Sequence, residues 1–190
     1  MVIYRCEQVE GGKIVVIRSE RADEYQAVED LVYDVFKGTK FSDGFLEREL
    51  VKEIRSSKNF IPKLSIVAVS DSGQIIGHIM MSKFPLSGKN EDKVLLLSPV
   101  SVDPAYQNQG IGMKMIETGL DMAEEMGFLG VIVEGSPRYY GKTGFLNYTE
   151  FGLSKAADIP GDYLMAQELV KDGFKGIEGE VDFAIYKCLA

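Results

Sequence analysis

The feature that most constrains this chain is a junction. Between Lys93 and Met126 an extended apolar run, KVLLLSPVSVDP, passes through AYQNQGIG into a segment where Ile111, Met115, Ile116, Leu120, Ala123 and Met126 recur at helical spacing. The pattern predicts a helix from Asn108 to Met126, stopped by Gly127. A strand that turns on glycines into a long amphipathic helix commits the chain to a sheet with at least one helix packed against it. It also presents a helix N-terminus, and Gly110 and Gly112 stand at that end. No carboxylate lies between Tyr106 and Ile116, Asn108 is the one capping side chain in QNQGIGMK, and Lys114 adds positive charge one turn in. First-turn N–H groups are unpaired and carry about half a positive charge. Such an end suits an external anion; glycines that merely allow tight packing are the plainer alternative. Two phosphate-binding patterns are excluded. The third glycine of a dinucleotide fingerprint is replaced by Met115, and Gly112 is followed by Met113 and Lys114, where a phosphate loop needs Lys then Ser or Thr.

The remaining segments supply the rest of the sheet. KIVVIRSE is a β-branched strand from Lys13 to Arg18, bounded by Gly11 and Gly12 after a short leader. Tyr25, Val28, Leu31, Val32, Val35 and Phe36 form a helical stripe ended by Gly38, and a second helix begins near Asp43 with Phe45, Leu46, Leu50 and Ile54 on its apolar face. LSIVAVS and QIIGHIMMSKF pair as a hairpin across Asp71, Ser72 and Gly73, and SGKNED is a polar connection. LGVIVEG is a short buried strand, PRYYGKTGF carries a helical turn, and a tail with extended segments and a glycine-rich loop runs from Phe151 to Ala190. Strands joined both by a hairpin and by a helix give an α/β (α+β) chain with a mixed sheet.

Composition narrows the function classes. With 190 residues, 45% of them hydrophobic, the chain can bury one sizeable core, so residues 1–190 are expected to form a single domain. A formal net charge of −8 disfavours nucleic acid as a partner. Cys6 and Cys188 lie near opposite ends and form no metal-type pair, so no metal site is expected and a reducing, cytoplasmic setting fits. No basic leader precedes an apolar stretch, and no run approaches the roughly eighteen apolar residues of a membrane span.

Gln107, Asn108, Gln109, Gly110, Ile111 and Gly112, following the strand LLLSPVSV, resemble the [QR]-x-x-G-x-[GA] motif of the GNAT superfamily of N-acetyltransferases. Tyr140, Gly144 and Phe145 match that superfamily's Y-x-x-x-G-F element, the order of elements agrees from about residue 13 to residue 150, and MAQEL and GEVDFAIYK in the tail resemble a subgroup of predicted acetyltransferases. The resemblance implies a mostly antiparallel sheet splayed between its fourth and fifth strands, with helices on both faces. It also implies acetyl-CoA as cosubstrate. The pantetheine arm would lie in the splay against Val100, Ser101 and Val102, and the diphosphate on the loop and helix end from Gln107 through Asn108, Gln109, Gly110 and Ile111 to Gly112 and Met113. Pro99 cannot donate to a strand ladder, which fits such a splay and equally fits an edge or a bulge.

By the same resemblance, an acetyl group passes to a primary amine of a small molecule, peptide or protein by direct attack in a ternary complex. An alkylammonium of pKa about 10.4 must first lose a proton. Glu134, at the end of GVIVE, is the candidate base, or else a partly solvated carboxylate where strand meets loop. Tyr140 is the candidate donor to the departing thiolate, or else a packing aromatic beside Tyr139. His78, the single histidine, is read as structural. The acceptor pocket is expected from Tyr25–Ile54 and Phe151–Lys187, with its amine unidentified and the chain either a monomer or a homodimer. A catalytically silent acyl-CoA-binding module is the alternative function.

Overall fold

Alternation along the strands sorts the apolar side chains onto two faces of one large sheet. The computed structural model describes residues 5–8, 14–39, 42–87, 92–157 and 159–189. In chain order the strands and α-helices are β1 (Arg5–Gln8), β2 (Ile14–Ser19), α1 (Tyr25–Phe36), α2 (Phe45–Ser56), β3 (Ser65–Val69), β4 (Ile75–Lys83), β5 (Val94–Val102) and α3 (Ile111–Glu125), then β6 (Gly130–Glu134), α4 (Pro137–Tyr140), β7 (Leu146–Asn147), β8 (Ser154–Lys155), β9 (Leu164–Glu168) and β10 (Glu180–Val181). Eight strands form one sheet in the order β1-β2-β3-β4-β5-β6-β9-β7, and β8 and β10 make a separate parallel pair. Every pairing in the large sheet is antiparallel except β5 with β6, the two strands that α3 connects. Because β5 is buried on both faces, Leu95 and Leu97 pack with Ile111, Met115, Ile116 and Leu120 of α3, while Val94 and Leu96 join the cluster containing Val28 and Val32 of α1 and Leu50 and Ile54 of α2.

Several sequence expectations change. The segment taken as a leader contributes the edge strand β1, and the Lys13 start of the next strand lies outside the described residues. Phe45 and Leu46 are exposed in the first turn of α2, and Val51 takes the core position beside Leu50 and Ile54. Met126 is exposed because α3 ends one residue earlier. The tail enters the same sheet: β9 inserts between β6 and β7, and the fully buried Tyr186 bonds Ser82 through its hydroxyl at 2.8 Å. No helix among the described residues is long and apolar enough to cross a membrane.

A buried polar network fixes α1 and α2 to the end of the sheet. Arg55 of α2 pairs with Glu20 and, at 2.7 Å, with Glu29 of α1, and it lies 4.1 Å over the Tyr25 ring. Ser65 donates to Glu20 at 2.5 Å and meets His78 Nε2 at 3.1 Å. Burial, with the Arg55 charge adding to it, lowers the His78 pKa from 6.5 to about 3. The folded protein therefore keeps His78 neutral while the unfolded chain protonates it below 6.5. Stability from this group is complete above pH 6.5 and lost as pH falls toward 3. The shift is worth up to about 5 kcal/mol, partly offset by Glu20, whose carboxyl burial raises. Urea unfolding should show a steep stability loss between pH 6.5 and pH 4, and His78→Gln should flatten that slope.

Candidate active site

The parallel ladder between β5 and β6 stops early. Val94, Leu95 and Leu96 pair with Gly130, Val131 and Ile132, and beyond that point the strands are no longer partners. On its other side β5 stays paired with β4 as far as Gly77↔Val102, with the register slipping between Ile79 and Met81, opposite Ser98 and Pro99. Pro99, joined to Ser98 by a cis peptide, thus sits in a bulge at the point of divergence. Asp103 N–H bonds the Ile76 carbonyl at 2.9 Å. Strand alternation then turns the backbone of Ser101 toward β4 and the backbones of Val100 and Val102 toward the open edge. Gln107 Nε2 reaches back to the Val102 carbonyl at 2.9 Å, tying the loop to this edge.

The gap widens into a cleft of about 720 Å³ between β5, β6 and the ends of α3 and α4. Gly110 is the N-cap of α3 at φ +80°, with open space where a Cβ would be, so the turn into the helix demands glycine for its conformation. This cap, with Asn108 before it at φ +59°, delays the helix to Ile111 instead of the expected Asn108 start. Among the described residues no side chain caps the end, and the first intrahelical bond is Lys114 N–H to Gly110 O at 3.0 Å. The N–H groups of Ile111, Gly112 and Met113 are left for a ligand.

Two tyrosines face the same cleft from α4, each seated on a glycine. A Cβ on Gly135 would lie 2.3 Å from Tyr140 Cε2, and one on Gly112 would lie 2.2 Å from the Tyr139 hydroxyl. The rings meet edge to face at 5.0 Å. Among the described residues neither hydroxyl has a hydrogen-bond partner in the protein. Burial, reinforced by Tyr139, pushes the Tyr140 phenol far above its ordinary value, so it stays protonated at any working pH. Glu134 ends β6 beyond the last β5 pair, opens to the cleft, and has its carboxyl raised above the usual range by partial burial.

The structure therefore brings Val100, Val102, Gln107, Asn108, Gly110, Ile111, Gly112, Met113, Glu134 and Tyr140 to one cleft. It does not bring Ser101 or Gln109 there. Ser101 is buried with its hydroxyl donating to the His78 carbonyl at 3.3 Å, and Gln109 donates to the Ala105 carbonyl at 3.2 Å. His78 lies in the buried network, away from the lining. Val35 and Phe36 of α1 and Glu47 of α2, within the Tyr25–Ile54 segment expected at the acceptor side, complete the wall, whereas the Phe151–Lys187 segment contributes no lining residue among those described. Tyr139 is the lining residue that sequence reasoning missed.

The geometry has counterparts among known proteins. Residues 27–145 match the family model described as the Acetyltransferase (GNAT) family. The uncharacterised N-acetyltransferase YhbS of Escherichia coli K12 is 28% identical over 137 residues, covering 72% of this chain and 80% of that protein. The crystal structure of Escherichia coli YhbS in complex with CoA superposes with a TM-score of 0.77 at 26% identity over 87% of each chain. A GNAT family acetyltransferase from Brucella melitensis in complex with acetyl-CoA gives a TM-score of 0.67 at 30% identity, covering 81% of this chain and 87% of that one.

Proposed function

Because the chain belongs to the GNAT family of acetyltransferases, we propose that this acetyl-CoA-dependent enzyme passes the acetyl group to a primary amine by direct attack in a ternary complex. The observation that carries the reading is the unpaired, uncapped end of α3 opening into the gap where β5 and β6 part. The residues fit the cosubstrate. Diphosphate accepts from the N–H groups of Ile111, Gly112 and Met113. The pantetheine arm runs along the free edge at Val100 and Val102, taking the place of the missing strand pair. The thioester then reaches the region of Glu134 and Tyr140.

There the chain's own groups divide the work. Glu134, directly or through water, takes a proton from the incoming ammonium. The freed nitrogen bonds to the carbonyl carbon, the carbon–sulfur bond breaks, and Tyr140 donates a hydrogen bond to the sulfur as it leaves. The proton that the nitrogen then sheds passes to that sulfur, directly or through water, to give the free thiol. Among the described residues, Glu47 and Glu134 give the lining two carboxylates against the single Lys142, which suits a cationic acceptor entering past Val35 and Phe36.

Acetyl-CoA at a hundredfold excess over its Kd should stabilise the fold by about 2.7 kcal/mol, read as a rise in Tm. NAD and ATP should do much less. Free-thiol release should then require an amine, in a panel of small amines, peptide N-termini and lysine side chains. An equal Tm shift with all three nucleotides would contradict the cofactor; tight acetyl-CoA binding without thiol release for any amine would identify a silent binding module.

A further inference from the structure

Gly112 belongs to the motif that suggested a bare backbone for phosphate, yet the space its missing side chain leaves is already filled. The nearest atoms to a Cβ there are the Tyr139 hydroxyl at 2.2 Å, Val102 Cγ2 at 3.5 Å and Tyr139 Cζ at 3.6 Å. Only the hydroxyl is in the way. Cα–Cβ bonds in a helix tilt toward its N-terminus, so this hydroxyl stands on the rim of the end whose N–H groups are unpaired. It is half-buried, has no partner in the protein among the described residues, and faces the cleft. Its ring is held from the other side by Tyr140.

We propose that Tyr139 is a cofactor-binding residue whose hydroxyl, seated on the bare Cα of Gly112, donates a hydrogen bond to a diphosphate oxygen of CoA at the end of α3. Gly112 is then a glycine in order to seat a tyrosine, and Gly110 is one in order to turn the backbone. Burial keeps the phenol protonated, as a donor to an anion must be. The inference rests on the acyl-CoA site proposed above and adds a residue to it; Tyr140, on Gly135, keeps its separate place.

A double-mutant cycle separates the two parts. In Tyr139→Phe the ring remains and the obstructing atom is gone. Calorimetry should show CoA affinity about tenfold weaker, the low end for a hydrogen bond to a charged group. Gly112→Ala alone should displace the ring and lower both the Tm of the free protein and CoA affinity. In the Tyr139→Phe background, with nothing closer than 3.5 Å to the new methyl, the same change should leave Tm nearly unaltered. An equal Tm loss in both backgrounds would overturn the seating, and unchanged CoA affinity in Tyr139→Phe would overturn the hydrogen bond. A parent protein that failed to bind CoA at all would overturn the site itself, while the Tm cycle on free protein would still report the seating.

Discussion

Glu134→Gln is expected to lower kcat/KM for a primary amine by about a hundred- to ten-thousandfold near neutral pH, the range of a lost general base. The substitution keeps the size of the side chain at the end of β6 and removes only its basicity. Its signature is the pH profile. A base must be deprotonated to act, and partial burial raises this carboxyl above the usual range. The parent should therefore lose activity as pH falls through that raised value, and the acid limb should vanish in Glu134→Gln. At high pH the free amine becomes abundant, approaching half near about pH 10.4, so the deficit should shrink. A deficit that stayed constant from pH 6 to pH 10 would make Glu134 a positioning group.

Tyr140→Phe should cost about a hundredfold in kcat with little change in CoA affinity, because its bond to sulfur strengthens only as charge develops. The direction of its pKa refines the role. A thiol titrates near about 8.5 and a phenol near 10; burial moves the Tyr140 phenol further up. Full proton transfer from tyrosine to thiolate would run uphill, so the role proposed for Tyr140 is to stabilise the leaving sulfur by hydrogen bonding. Consequently kcat should carry no limb from tyrosine ionisation in the neutral range. The two neighbouring tyrosines should give opposite signatures: Tyr139→Phe is expected to move Kd for CoA, and Tyr140→Phe to move kcat. If Tyr139→Phe lost the turnover while Tyr140→Phe kept it, the roles along YYGKTGF would be exchanged.

Much of the site was legible because it is local. The run from Leu95 to Gly112 sets a strand, a turn and a helix end within one stretch, and the absence of carboxylates between Tyr106 and Ile116 suits an end open to an anion. Glu134 and Tyr140 follow at the next strand end and helical turn. What failed depended on phase or on distant partners. Val100, Ser101 and Val102 cannot all face one edge of a strand, but the Asp103–Ile76 bond is what assigns Ser101 to the other side. The fit of Tyr139 on Gly112 and of Tyr140 on Gly135 joins positions that no periodicity relates. The place of β9 between β6 and β7 is equally non-local, since five residues far along the tail complete a sheet begun at the other end of the chain. His78 was read as structural, and its complete burial follows from β4 being an interior strand covered on both faces.

The most direct measurement is a crystal structure of the protein with acetyl-CoA. The account predicts diphosphate on the N–H groups of Ile111, Gly112 and Met113, pantetheine amides bonded to the backbone of Val100 and Val102, and the thioester sulfur within hydrogen-bonding distance of the Tyr140 hydroxyl, with Glu134 facing the acetyl carbon directly or through one water. Acetyl-CoA bound outside the gap between β5 and β6, or with its thioester turned away from both Tyr140 and Glu134, would contradict it.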